Sequence, residues 1–359
     1  APKCLLCGFE HVWRGPCVIW GTGMKAYEIH GAGGVDALVV SDRSEPDPGP
    51  GQVKVRIRAS SINYRDLVTI EDPVARKLSL PHIPNSDGAG EVVALGSGVT
   101  RVKVGDRVMG SFFQRWHSGE ITPDGMESAL GGSLEGVLSE YTLLDEDGVV
   151  PVPKHLSYVE AATLPCAGLT AWHALVERGG VKAGDTVLLL GTGGVSIFGL
   201  QFCVLHGARA IITSSSDGKL SRAKDMGAWG TINYREHPDW YKQVNALTDN
   251  IGVDHVIEVG GAGTLERSIQ SARIGGNIYL IGILAQGQIN PTALMRRSLH
   301  LHGIYVGSRE MFENMNRGIE VAKLKPLVDR TFNFSDAQSA YHSMRANSHF
   351  GKLVITLDD

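Results

Sequence analysis

From Asp185 to Ser196 the chain reads Asp-Thr-Val-Leu-Leu-Leu-Gly-Thr-Gly-Gly-Val-Ser, a buried strand, a glycine turn and a helix start in direct succession. Thr186 to Leu190 show no polar alternation, the pattern of a central parallel strand covered on both faces. Gly191 and Gly193 permit a tight turn that lets the backbone approach a pyrophosphate. A helix opening at Gly194 then points free N–H groups and the positive end of its dipole at that anion. Ser196 stands where the third glycine of G-x-G-x-x-G would fall, and the bare pattern also describes an ordinary βα turn. The downstream residues favour the dinucleotide site. A helix ends near Gly207, and strands are expected at Arg209–Thr213, Thr231–Asn233, Val253–Val259 and Gly276–Gly282. Helices around Lys219–Met226 and from Asp239 fall between them. This alternation predicts right-handed βαβ units on a doubly wound parallel sheet, an α/β fold.

A chain of 359 residues is longer than one ordinary domain, so two are expected. With 43% hydrophobic and 20% charged residues it can fill both cores. A formal net charge of -4 gives no basic face for nucleic acid or an anionic membrane surface, and no apolar run reaches the roughly 18 residues of a membrane span. The five cysteines, Cys4, Cys7, Cys17, Cys166 and Cys203, are odd in number, and only two lie in the main body. That predicts free thiols in a reducing compartment such as the cytoplasm. Cys4-Leu-Leu-Cys7 has the spacing of half a zinc knuckle, with no second C-x-x-C to complete it. Residues 1–23 differ in character from the rest of the chain and read as an extension, with Met24-Lys-Ala-Tyr a natural start.

From Met24 onward the first domain reads as mainly β. Val53, Val55 and Ile57 alternate with Lys54, Arg56 and Arg58, a half-buried strand with a wet face. Short strands are also expected at Gly90–Leu95, Asp106–Met109 and Leu138–Leu143, making a compact, partly closed β unit. Ser157 and Glu160 form a capping box that opens a helix, which Pro165 is expected to interrupt. A second helix, Gly168–Arg178, leads into the dinucleotide strand.

Six segments together resemble the medium-chain dehydrogenase/reductases, in the zinc-free branch near quinone oxidoreductases and enoyl reductases. They are Ser61-Ile-Asn63-Tyr64-Arg-Asp66, Asn85-Ser86-Asp87-Gly88-Ala-Gly90-Glu91-Val92, Val104–Val108, Ala161–Ala171, the Gly191 turn and Phe350-Gly351-Lys352-Leu-Val. The resemblance implies a doubly wound Rossmann sheet at 156–304 that binds NADP, and a mainly β GroES-like catalytic domain from 24–155 and 305–359. In zinc-dependent relatives a Cys-His pair stands at Asn63-Tyr64 and Gly-His-Glu at Asn85-Ser86-Asp87. Cys166 falls on the last cysteine ligand, or is simply a small buried apolar residue. One thiolate cannot hold tetrahedral zinc, so no catalytic metal is expected. The lobe that carries four cysteines in those relatives is replaced by residues 111–137, with Phe112, Phe113, Trp116 and His117.

Without a metal, hydride delivery from a reduced nicotinamide suits a conjugated C=C or a quinone better than an isolated alcohol. Tyr64 is the candidate donor or proton source, with an amphipathic core tyrosine as the alternative, and Asn63 is the candidate for orienting nicotinamide or substrate. Asp66 reads as a partner of Arg65 or a helix cap. Phe112, Phe113 and Trp116 are expected to wall the substrate pocket. At the tip of the second nucleotide strand, Thr213-Ser214-Ser215-Ser216 with Lys219 suits a 2′-phosphate better than the carboxylate of an NAD site. Asp217 is discordant unless it caps the Lys219 helix. The resemblance adds that Lys219 and Tyr234 hold the adenosine phosphate, which favours NADPH, and it carries over Thr170, Gly194, Val195, Val259 and Lys352 as cofactor contacts. It also implies a homodimer through a last strand at Leu299–Val306. An enone or quinone reductase leads, followed by a zinc-free carbonyl reductase or alcohol dehydrogenase. A non-catalytic NADPH-binding or RNA-binding relative is the third reading.

Overall fold

The computed structural model describes residues 23–282 and 284–357. The expectations placed on residues 1–22, including the Cys4–Cys7 spacing, lie outside the described residues. The chain begins with β1 (Gly23–Glu28), β2 (Val39–Ser44), β3 (Gln52–Ile62), α1 (Tyr64–Glu71), β4 (Asp87–Leu95), β5 (Arg107–Gly110), α2 (Pro123–Met126), β6 (Tyr141–Asp145) and β7 (Val149–Pro151). After α3 (Tyr158–Ala161) and α4 (Leu169–Trp172) come β8 (Thr186–Leu189), α5 (Gly194–His206), β9 (Arg209–Ser214), α6 (Asp217–Asp225), β10 (Gly230–Asn233), α7 (Tyr241–Leu247) and β11 (Val253–Glu258). The last elements are α8 (Ala262–Ser271), β12 (Ala272–Leu280), α9 (Pro291–Arg296), β13 (His300–Gly303), α10 (Arg309–Ala322), β14 (Val328–Asn333), α11 (Ala337–Arg345) and β15 (Lys352–Thr356).

Strands β8 to β13 form one parallel sheet in the order β10-β9-β8-β11-β12-β13, the doubly wound arrangement expected. All four residues of β8 are buried. The second sheet runs β14-β15-β3-β4-β5-β7, with β6 also on β3, so the end of the chain returns to pair with its beginning. In β3, Val53, Val55 and Ile57 point into the core while Lys54, Arg56 and Arg58 stay at its margin. One apolar core continues from Ala59, Ala89 and Phe112 of the β unit into Val187, Ile197 and Ile212 of the parallel sheet.

Register at the end of β3 builds the site. On one side Ser61 pairs with Asp87 of β4, and on the other Ile62 pairs with Leu353 of β15. Asp87 and Lys352 are therefore brought to the two flanks of Asn63, although the chain separates the three widely.

Three local expectations change. Pro165 does not end its helix, because it sits in a wide π-type turn, Leu164–Gly168, through which the helical path continues into α4. Leu138 and Ser139 pair with β1 rather than β3, so the strand begins at Tyr141. The last nucleotide strand stops at Gly303. Val306, a β-branched residue at φ 54°, then turns the chain back toward the interior. Such a conformation costs on the order of 1–3 kcal/mol and requires support, here the hydrogen bond from His173 Nδ1 to the Val306 carbonyl at 2.8 Å.

Candidate active site

A cleft of about 1390 Å³ runs between the two sheets, past the carboxyl ends of the parallel strands. Asn63, Tyr64 and Phe112 line one end. Thr170, Gly191, Gly193, Gly194 and Val195 line the middle, and Ser214, Ser215, Lys219 and Tyr234 the other end, with Val259 and Lys352 also on its walls.

The glycine turn has the shape that could hold an anion. Gly191 has φ 74°, open to glycine at no steric cost, and its N–H donates to Thr213 Oγ1 at 3.1 Å. Gly193 caps the 13-residue α5, whose free N–H groups open on the cleft. A Cβ on Gly194 would stand 2.7 Å from Lys352 Cδ, so the Lys352 stem lies directly on the helix start. Ser196 is tolerated because its hydroxyl turns back to the Leu190 carbonyl at 2.6 Å. Close helix–strand contact instead falls to Gly199, where a Cβ would come within 2.7 Å of Leu189 Cδ2.

At the tip of β9, Ser214 is buried and Ser216, not Asp217, caps α6 by accepting from the Lys219 N–H. Asp217 accepts from Asn233 Nδ2 at 2.8 Å and lines a separate surface groove. The Asp217 carboxylate is therefore turned away from the cleft. Lys219 Nζ reaches across to the Asn347 carbonyl at 2.8 Å, joining α6 to the segment before β15.

The reactive end is a buried polar cluster. Asp66 accepts from the Asn63 backbone N–H at 2.8 Å and from Arg65 Nη1 at 3.1 Å, so it serves both as helix cap and as ion-pair partner. Tyr64, first in α1, is 48% exposed on the cleft wall. Lys352 is 3% exposed, and its ammonium donates to the Ile62 carbonyl at 2.7 Å and to Asn63 Oδ1. Sequence reasoning carried Lys352 over as a cofactor contact, whereas here its stem faces the cleft and its charge turns inward. Asp87 accepts from Ser86 Oγ at 2.6 Å and from the Cys166 N–H at 3.1 Å. Burial pushes the Asp87 carboxyl up to about 6, against the lowering pull of the Lys352 ammonium. Asn85 has φ 73°, a conformation asparagine tolerates well, and is pinned by Ser60 and Tyr341.

Only Phe112 of the three proposed pocket aromatics lines the cleft. Phe113 packs behind it with ring centroids 4.8 Å apart, and Trp116 packs a further layer back, its indole N–H given to the Gly119 carbonyl. Tyr305, 49% exposed and 5.0 Å from the Phe113 ring, supplies the missing aromatic wall. Its position within an expected strand concealed that role. His349, in the unassigned loop before β15, is among the further lining residues that no sequence motif singles out.

A catalytic zinc requires about three protein ligands. Here Asn63, Ser86, Asp87 and Cys166 occupy that locus without an imidazole. Burial and the Asp87 charge push the Cys166 thiol far above its usual range, and the Lys352 ammonium stands within the cluster. Among the described residues no group of three or more His, Cys, Asp or Glu side chains could hold a metal ion. These residues do not fit zinc, whereas the glycine turn, the α5 terminus and the serine–lysine tip do fit a dinucleotide.

A doubly wound sheet joined to a β unit, with a dinucleotide cradle leading to a polar reactive end, defines a nucleotide-dependent oxidoreductase. Residues 49–154 match the alcohol dehydrogenase GroES-like domain and residues 194–320 the zinc-binding dehydrogenase domain. The chain is 40% identical to a zinc-type alcohol dehydrogenase-like protein of Schizosaccharomyces pombe, over 92% of this chain and 99% of that one. It is 31% identical to 2-methylene-furan-3-one reductase of Solanum lycopersicum, over 92% of this chain and 79% of the relative. A crystal structure of an NAD-dependent alcohol dehydrogenase superposes with TM-score 0.85 at 34% identity, covering 93% of this chain and all of that one. The chain belongs to the medium-chain dehydrogenase/reductase superfamily.

Proposed function

We propose that the protein is a zinc-independent, NADPH-dependent reductase of a conjugated C=C (enone) or a quinone. The observation that carries this reading is the buried Lys352 ammonium on Asn63 and Ile62, a fixed cation in a cluster unsuited to a metal. When bound, the reduced nicotinamide supplies a hydride for an electron-poor carbon. Tyr64 donates from the cleft wall to the substrate oxygen on which charge accumulates. Lys352 fixes the Asn63 amide by its oxygen and adds a positive field that needs no reorganisation. Phe112 and Tyr305 offer flat apolar surface to a conjugated substrate. Ser214, Ser215, Lys219 and Tyr234 support the choice of NADPH, and the outward turn of Asp217 removes the main objection.

The deciding experiment is a single turnover of a simple enone with deuterated NADPH, before and after dialysis against a chelator. Deuterium at the β-carbon, with activity retained after chelation, is the expected result. Deuterium on the carbinol carbon would identify a carbonyl reductase instead, and activity lost to the chelator and restored by zinc would overturn metal independence.

A further inference from the structure

The segment from Asn347 to Gly351 lines the cleft between Lys219 and the glycine turn. At one end the Asn347 carbonyl accepts from Lys219 Nζ, and at the other the Gly351 N–H donates to the Thr192 carbonyl of the glycine turn at 3.0 Å. His349 lies between these anchors, lines the cleft and is 8% exposed, yet its Nδ1 has no hydrogen-bond partner. A buried polar atom of this kind is costly unless something completes it.

Its surroundings are cationic. Lys219 and Arg222 come from α6, Arg330 from β14, Lys352 from β15, and Arg345 of α11 lines the same cleft. The opposing carboxylate, Asp329 of β14, is paired with Arg222 at 3.0 Å and lies 3.6 Å from Arg330 Nε. We infer that His349 is a binding residue for the 2′-phosphate of the dinucleotide, acting with Lys219 and taking up a proton as the phosphate arrives. This rests on the NADPH reading above and adds to it a residue and a proton.

Burial, together with the Lys219 and Lys352 charges, pushes His349 down to about 4, so the imidazole is neutral in the empty cleft at neutral pH. A phosphate dianion reverses the local field and favours the imidazolium, which donates a charge-assisted hydrogen bond. Linkage sets the sign. The bound state carries the higher histidine pKa, so binding consumes a proton between the two values and weakens as pH rises through the upper one. The phosphate itself, with its second pKa near about 6, would release protons on entering a cationic site, and burial lowers Lys219 as well, so it is net uptake that disappears in His349→Gln that identifies the histidine.

Calorimetry in two buffers of different ionisation enthalpy gives the proton count, with 2′,5′-ADP and 5′-AMP, which differ only by the 2′-phosphate, as probes. The unmutated protein should bind 2′,5′-ADP more tightly and take up protons with it but not with 5′-AMP. His349→Gln should abolish the uptake and weaken 2′,5′-ADP roughly 10- to 100-fold, the range of a hydrogen bond to a charged group, while sparing 5′-AMP. If 2′,5′-ADP is preferred, lost on Lys219→Ala, but unaffected by His349→Gln, the NADPH reading stands and the histidine assignment falls. Equal weakening of both probes would likewise overturn the assignment. If the unmutated protein shows no preference for 2′,5′-ADP, the NADPH reading falls and takes the inference with it. Proton release with 2′,5′-ADP in the unmutated protein overturns the inference without any variant.

Discussion

Tyr64 and Asp87 show how two residues near the same amide take different roles. Tyr64 opens α1 on the cleft wall and is half exposed there. Tyr64→Phe should lower kcat about 10- to 1,000-fold in enone reduction while leaving NADPH affinity near normal. Unchanged turnover would reduce Tyr64 to a packing residue. Asp87 is wholly buried and holds its proton up to about pH 6, whereas an unfolded aspartate loses it near about 3.9. Between those values the folded state binds more protons, so its stability falls as pH rises through that window and the loss is complete above it. The difference is on the order of 3 kcal/mol. Asp87→Asn keeps the shape and removes the titration, since the Ser86 hydroxyl can rotate to suit. Urea unfolding at steps from about pH 4 to about pH 7 should show the unmutated protein weakening relative to this variant. Parallel curves would contradict the assignment.

At the scale of elements, the βα turn depends on how closely α5 approaches β8. An alanine at Gly199 improves helix propensity by about 1 kcal/mol, but its Cβ meets the buried Leu189 side chain, and overpacking costs about 1–3 kcal/mol. Gly199→Ala should therefore destabilise the protein by up to about 2 kcal/mol, read from the urea midpoint. A stabilised variant would mean that Leu189 moves aside freely. Helix α6 presents Lys219 at the tip of β9 with its start fixed by the Ser216 cap. Lys219→Ala should raise the KM for NADPH about tenfold or more and leave that for NADH nearly unchanged, because on the NADPH reading the contact that separates the two cofactors is the one to the 2′-phosphate. A matching rise for both cofactors would point instead to loss of the Lys219–Asn347 contact between α6 and the loop before β15.

For the whole molecule, β13 is an edge of the parallel sheet, with Leu301 and His302 half-buried and His300 exposed. Open edges invite pairing, and an antiparallel match with a second copy would give an isologous two-fold interface. Light scattering at micromolar concentration should report a homodimer, and a monomer there would refute the proposal. No helix among the described residues is long and apolar enough to cross a membrane.

The nucleotide half was legible because its signals are local. An unalternating apolar run, glycines at fixed offsets and a regular succession of strands and helices all act within a few turns of chain, and each predicted strand lies in the parallel sheet. The alternation of Val53, Val55 and Ile57 was equally readable for the same reason. The reactive end was not, since it depends on pairing between distant strands. Nothing near Lys352 in sequence says that β15 lies beside β3 and delivers an ammonium to Asn63, 289 positions away. Direction was equally hidden. Phe112 faces the cleft while Phe113 turns into the core, Asp217 turns away from the cleft, and Tyr305 rather than Trp116 lines it. Sequence by itself determined the succession of strands and helices in the nucleotide half. Only tertiary packing decided which side chains share the cleft and which charges are buried there, because strand register and desolvation are properties of segments that meet in space.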